Sequence, residues 1–101
     1  MSVIENIEFD KDGFMVDPTL WNEEVGNAIA NDEGIEQMTD KHWAIANYIR
    51  NYWQENDLAP PVRLICTEIG ISVREIYKLY TSGPARGACR VAGLPKPDGC
   101  V

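Results

Sequence analysis

Val62-Arg63-Leu64-Ile65-Cys66-Thr67-Glu68-Ile69-Gly70-Ile71-Ser72-Val73-Arg74-Glu75-Ile76-Tyr77-Lys78-Leu79-Tyr80 reads as two short helices joined by a tight turn. Val62, Ile65, Cys66 and Ile69 recur at i, i+3, i+4, i+7, which puts them on one helical face, and Gly70 suits the left-handed residue that ends a helix. Ser72-Val73-Arg74-Glu75 has the form of a capping box, after which Val73, Ile76, Tyr77 and Tyr80 repeat the same spacing. The pair resembles a helix-turn-helix. Upstream, the spacing predicts a helix from Thr39 to about Glu55, with Ile45, Ile49, Tyr52 and Trp53 on one face, and Pro60-Pro61 ends the connection. Asp17-Pro18 offers an N-cap and a first-turn proline, so a helix is predicted from there to Gly34, with Trp21, Val25, Ala28 and Ile29 inward. Ile7-Glu8-Phe9 and Phe14-Met15-Val16 alternate around Asp10-Lys11-Asp12-Gly13, a pattern that predicts a small N-terminal β-hairpin. Downstream, Gly83-Pro84 breaks the chain and a fifth helix is predicted from Pro84 to about Ala92. Leu94-Pro95-Lys96-Pro97-Asp98-Gly99-Cys100-Val101 cannot be helical, because two prolines lack donors and bias their predecessors to extended geometry. The expected fold is therefore mainly α: one small helical bundle with a β-hairpin at its start, a body over 1–93 and an extended, flexible arm over 94–101.

Composition limits the function. The 101 residues suit one domain with one core. With 45% apolar and 25% charged residues, the chain is too hydrophobic for intrinsic disorder and too evenly polar for a membrane span. Nothing in Met1-Ser2-Val3-Ile4-Glu5-Asn6 resembles an export signal, and three Cys are a poor disulfide framework, so a reducing cytoplasm is expected. The formal net charge is -7, which disfavours sequence-independent nucleic-acid binding, since that affinity comes from neutralising phosphates. The sum hides an asymmetry. Residues 1–60 carry thirteen acidic side chains and three basic ones (Lys11, Lys41, Arg50), whereas residues 61–101 carry three acidic and six basic (Arg63, Arg74, Lys78, Arg86, Arg90, Lys96).

Two of the three cysteines lie in that basic part. Cys66 falls on an apolar stripe, where a thiol behaves as a small hydrophobe. Cys89 is flanked by Arg86 and Arg90, and a cationic setting favours thiolate over thiol. Gly87 and Ala88 beside it leave room for a second group to approach. Cys100 is the penultimate residue, where packing gives it no purpose, and prenylation is excluded because that signal places Cys four residues from the end. Eleven steps separate Cys89 from Cys100, a contour of up to ~35–40 Å, so the arm can extend from the body or return the two sulfurs to contact. Gly93 and Gly99 are candidate hinges, and Pro95 and Pro97 stiffen the middle. Such an arm can carry a group on its terminal thiol into a partner and retract for a second thiol to resolve the adduct, as thiol exchange requires.

The segment Gly83-Pro84-Ala85-Arg86-Gly87-Ala88-Cys89-Arg90-Val91-Ala92-Gly93-Leu94-Pro95-Lys96-Pro97-Asp98-Gly99-Cys100-Val101 resembles the C-terminal signature of the DsrC/TusE sulfur-carrier family. Asp10-Lys11-Asp12-Gly13-Phe14, Asp17 with Trp21-Asn22, Gly34-Ile35, His42-Trp43 and Ala59-Pro60-Pro61-Val62-Arg63 also fall where that family places similar residues, so nearly the whole chain is covered. The resemblance implies a protein co-substrate rather than a stand-alone enzyme. Cys100 would carry sulfite-derived sulfur on an arm that approaches the sirohaem of the dissimilatory sulfite reductase alpha and beta subunits. Cys89 would close a trisulfide or disulfide with it, reduced in turn by a membrane-bound heterodisulfide-reductase-like complex. Sulfur-donor relay proteins are further possible partners, and no cofactor is expected on this chain. Members working with the reductase have both cysteines, whereas those of the tRNA 2-thiouridine relay typically keep the penultimate one, so Cys89 favours the first branch. The short Gly70-Ile71-Ser72 connection, where members from sulfur oxidisers carry an insertion, favours the reductive direction. Arg86, Arg90 and Lys96 would lower thiol pKa values or guide the arm. Asp98 stands where Thr is common in the family and should slightly disfavour thiolate at Cys100.

Two other readings compete. Arg74 and Lys78 on the second helix of the helix-turn-helix-like pair fit a DNA-binding regulator, although such pairs are common in bundles that bind nothing. A zinc site from His42, Cys66, Cys89 and Cys100 lacks a close ligand pair to nucleate coordination. His42 is expected to be packed or solvated, without chemistry of its own, and the aromatic residues to be core or helix surface.

Overall fold

The computed structural model describes residues 7–83 and 87–95. Arg86, Lys96, Gly99 and Cys100 lie outside the described residues, as does most of the expected arm. The described elements are a 3-10 turn at Pro18–Leu20, then α1 (Glu23–Asp32), α2 (Asp40–Asn56), α3 (Val62–Ile69), α4 (Val73–Leu79) and the short α5 (Cys89–Val91). Local chemistry sets their ends. The Thr39 hydroxyl accepts the His42 amide while His42 Nδ1 accepts the Thr39 amide, a reciprocal cap with histidine in the place more often held by Glu or Gln. Gly70 closes α3 at φ 81°, and the Ser72 hydroxyl accepts the Glu75 amide to open α4. The helix-turn-helix-like pair is thus formed as the spacing predicts.

The helices bury one continuous apolar core. Ile29 and Ala30 of α1, Ile45, Ala46 and Ile49 of α2, Ile65 of α3 and Ile76 of α4 meet Tyr80, Ala88, Cys89, Val91, Ala92 and Leu94. Full burial of each such aliphatic side chain contributes about 1.5–3 kcal/mol. α5 packs against both α1 and α2, so the segment that holds Cys89 is part of the core rather than an appendage. No helix among the described residues is long and apolar enough to cross a membrane.

Three expectations are corrected. The N-terminal β-hairpin is not formed. Among the described residues a single antiparallel bridge joins Phe9 to Met15, because Asp10 Oδ1 accepts the amides of Asp12 and Phe14 and pulls the chain into a tight turn. The Pro18 turn follows too soon for a ladder to grow. The first helix is divided, since the chain holds two caps: Asp17 accepts the Thr19 amide over a 3-10 turn, Trp21 is extended, and Asn22 caps α1 through the Val25 amide. Finally, the packed body does not end at Gly93, for Leu94 is fully buried and Pro95 half-buried. Core packing therefore extends through Leu94.

Candidate functional site

Cys89 begins α5 after a π-type turn at Gly87–Ala88, and its thiol is free and 1% exposed. Burial pushes the thiol pKa up to about 12, because a thiolate there would have to give up water for apolar neighbours. The expected cationic activation is absent among the described residues. Arg90 is engaged elsewhere: Nε donates to Gly13 O at 2.7 Å, NH1 to Glu33 Oε2 at 2.7 Å and NH2 to Asp32 Oδ2 at 3.4 Å. Its charge is taken up by the end of α1, and its task is to pin the Asp10–Phe14 turn and α1 to α5.

Just after Cys89 the backbone is gripped by side chains from two distant elements. Trp21 Nε1 donates to Val91 O at 2.8 Å. Arg50 of α2 donates through NH1 to Ala92 O at 2.9 Å and Gly93 O at 3.4 Å, and through NH2 to Pro18 O at 2.8 Å. The guanidinium stands 4.5 Å from the Trp21 ring centroid and 5.9 Å from that of Trp53, so each ring face lies within cation–π range. Burial lowers the pKa of Arg50 from its ordinary value, yet it stays charged at neutral pH. Three consecutive carbonyls that follow Cys89, those of Val91, Ala92 and Gly93, are thereby held by side chains. The cation also suits the negative end of the helix.

Gly93, expected as a hinge, serves here as a fixed turn. Its φ is 77°, its carbonyl is bonded to Arg50, and a Cβ on it would run into Trp21. Arg50 and Trp21 were not legible as site residues. Their partners lie 42 and 70 positions away in the chain, and no local pattern encodes such pairs. The one available signal was that Arg50, next to buried Ile49 and three residues before Trp53, is the single basic residue between Lys41 and Arg63.

The other expected residues fall away from this site. Cys66 is half-buried against the core, somewhat more open than its stripe suggested. His42 is buried, with Nδ1 on the Thr39 amide and Nε2 2.9 Å from Leu79 O, which fixes the proton on Nε2. Its ring meets Tyr80 edge-on at 5.2 Å, and both of its nitrogens are occupied by the fold. On α4, Val73 and Tyr77 are exposed alongside Arg74 and Lys78. Among the described residues no group of three His, Cys, Asp or Glu side chains is placed to hold a metal ion.

The chain as a whole is similar to known proteins. A family model described as "DsrC like protein" matches residues 3–101. The gamma subunit of the dissimilatory-type sulfite reductase of Nitratidesulfovibrio vulgaris is 38% identical over 97 residues, covering 96% of this chain and 92% of that one. Sulfurtransferase TusE of Pectobacterium atrosepticum is 34% identical over 102 residues, covering 94% and 93%. The crystal structure of the oxidized gamma subunit of the dissimilatory sulfite reductase (DsrC) from Archaeoglobus fulgidus matches with a TM-score of 0.84 at 42% identity, covering 94% of this chain and 92% of that one. With the family model spanning nearly all of it and relatives of this identity matching end to end, the chain belongs to the DsrC-like family.

Proposed function

We propose that this protein is a sulfur carrier that serves a dissimilatory sulfite reductase as co-substrate, with Cys100 as the carrying thiol and Cys89 as the resolving one. The observation that carries this reading is Cys89 itself. A cysteine placed in the core at the foot of the C-terminal segment, eleven residues before a second cysteine, gives one chain the two thiols that release of a bound sulfur requires. A sulfur at the +2 level, bearing two hydroxides, condenses with two thiols to give a trisulfide and two waters. Four electrons and four protons from a downstream reductant then return both thiols and one hydrogen sulfide. A persulfide on Cys100 follows a shorter course, in which the Cys89 thiolate attacks the Cys100 sulfur, expels hydrosulfide and leaves a disulfide. The partner's sirohaem supplies the redox chemistry, the chain binds no cofactor of its own, and the setting is the cytoplasm.

The test incubates the protein with sulfite reductase, sulfite and an electron donor, then weighs it intact beside Cys89→Ala and Cys100→Ala. The wild type is expected to gain one sulfur bridging the two cysteines, Cys89→Ala an open adduct and Cys100→Ala nothing. Sulfur on Cys100→Ala, or none on the wild type, would overturn the assignment. A second reading, a relay like the TusE sulfurtransferases among the relatives, uses Cys100 alone. Full sulfur transfer to a tRNA-thiolating acceptor by Cys89→Ala, with no adduct formed at sulfite reductase, would decide for it.

A further inference from the structure

We infer that Arg50 and Trp21 are positioning residues that keep Cys89 sealed in the resting body, so that the first sulfur is taken up by Cys100 and not by Cys89. The inference rests on the carrier reading above. A two-thiol carrier has an ordering problem: sulfur delivered first to the resolving thiol would sit in the body, with no thiol left free there to release it. The chemistry of a cysteine does not solve this, since both side chains are the same. Burial does. Cys89 is 1% exposed in an α5 packed on α1 and α2, and directly after it the chain returns through Gly93 to Leu94, whose amide donates back to Cys89 O at 3.2 Å.

That return is short: its Ala92, Gly93 and Leu94 amides bond back to Ala88, Arg90 and Cys89 O, while its carbonyls are held from outside. Its Val91, Ala92 and Gly93 carbonyls are held by Trp21 Nε1 and the Arg50 guanidinium. Trp21 also fills the space where a Cβ of residue 93 would lie, and the Arg50 side chain ties the same point to Pro18 O. The grip reaches the turn before α1 and the middle of α2, so the segment can lift from Cys89 only if both side chains release it. Local opening of this kind has its own free energy, separate from global unfolding. The seal is thus set by two side chains that come from elements distant in the chain from Cys89.

The experiment labels reduced protein with iodoacetamide under native conditions and follows each cysteine by peptide mass. Arg50→Lys keeps a cation near Trp21 but cannot bridge the Ala92, Gly93 and Pro18 carbonyls; Trp21→Phe removes the Val91 bond and serves if Arg50→Lys does not fold. Ile49→Val, a small core truncation one residue away that leaves the grip intact, is the control for general loosening. In the wild type, Cys89 is expected to label far more slowly than Cys66 or Cys100, and in Arg50→Lys or Trp21→Phe at least ~10-fold faster than in Ile49→Val. A parallel arm offers inorganic polysulfide, from which a thiolate takes one terminal sulfur as persulfide and releases the chain shortened by one atom. Wild type is expected to load Cys100, and Arg50→Lys to divide the sulfur between Cys100 and Cys89. Equal Cys89 labelling in the grip variants and Ile49→Val removes the seal while leaving the carrier reading in place. A wild type loaded first on Cys89 overturns the order, and one that takes no sulfur on either thiol removes the carrier reading and the order with it.

Discussion

Arg90 sits beside Cys89 in the chain, but its guanidinium serves a different structure. Arg90 and Glu33 are both largely shielded from water, with side chains 13% and 14% exposed, and Glu33 Oε1 is buried with no hydrogen-bond partner among the described residues. The pair therefore holds its charge on one good contact, plus the carbonyl of Gly13 and a looser approach to Asp32. Removing one member of a shielded pair leaves the other charge stranded, which costs more than the pair itself contributes. Arg90→Gln is expected to destabilise the fold by ~2–4 kcal/mol in urea titrations, with Glu33→Gln milder because the arginine can turn to Asp32. Cys89 labelling, corrected for that loss, is expected to stay at the wild-type rate. A faster thiol in wild type than in Arg90→Gln would restore the activating role that adjacency in the sequence suggested.

At the scale of elements, glycine positions separate local from distant causes. Gly34 and Gly93 both take positive φ, 90° and 77°, but nothing lies within 4 Å of a Cβ on Gly34, whereas one on Gly93 meets the Trp21 ring. Gly34→Ala is expected to cost ~1–2 kcal/mol, the strain of a left-handed L-residue alone. Gly93→Ala adds overpacking of ~1–3 kcal/mol, so urea midpoints should separate the two variants clearly; equal losses would mean that the Trp21 contact yields freely. The same division explains what could be read beforehand. Thr39, Gly70 and Ser72 act on amides and carbonyls within a few residues, so α2, α3 and α4 were legible in detail. The break at Trp21 was not, because Pro18 and the apolar spacing both favoured one unbroken helix and hid the second cap, Asn22, which opens α1 through the Val25 amide. The hairpin failed for a local reason of another kind: Asp10 competes for amides that a ladder needs. The spacing of Cys89 and Cys100 was legible, but not that the fold buries the first of those thiols.

Over the whole molecule, the core contains two neutral acids that resist ionisation. Burial pushes the Cys89 thiol from 9.0 up to about 12 and raises the Tyr80 phenol from its ordinary 10.0 in the same direction. The Tyr80 hydroxyl donates to His42 O at 2.7 Å inside the core, a bond a phenolate could not make. In both cases the folded chain keeps a proton that the unfolded chain gives up at lower pH. Between the unfolded and folded pKa values the unfolded state binds fewer protons, so unfolding becomes easier as pH rises. Stability should be flat near neutrality and fall once pH passes about 9, by ~1.4 kcal/mol per unit for each group fully inside its window. From Cys89 alone the loss at pH 11 is then ~2–3 kcal/mol, a large fraction of the ~5–15 kcal/mol typical of a domain. Asp17, whose carboxylate is held below its ordinary value by the Thr19 hydroxyl and amide, acts at the acid end with the opposite sign. Urea midpoints of reduced protein between about pH 7 and 11 measure the alkaline limb. Cys89→Ala is expected to begin its fall later and Tyr80→Phe to fall less steeply at the high end, so the pair should lose most of the dependence above pH 9. A wild-type curve that stays level to pH 11, or one unchanged by Cys89→Ala, would mean that the thiol reaches water in the resting fold, and the seal over Cys89 would fall with it.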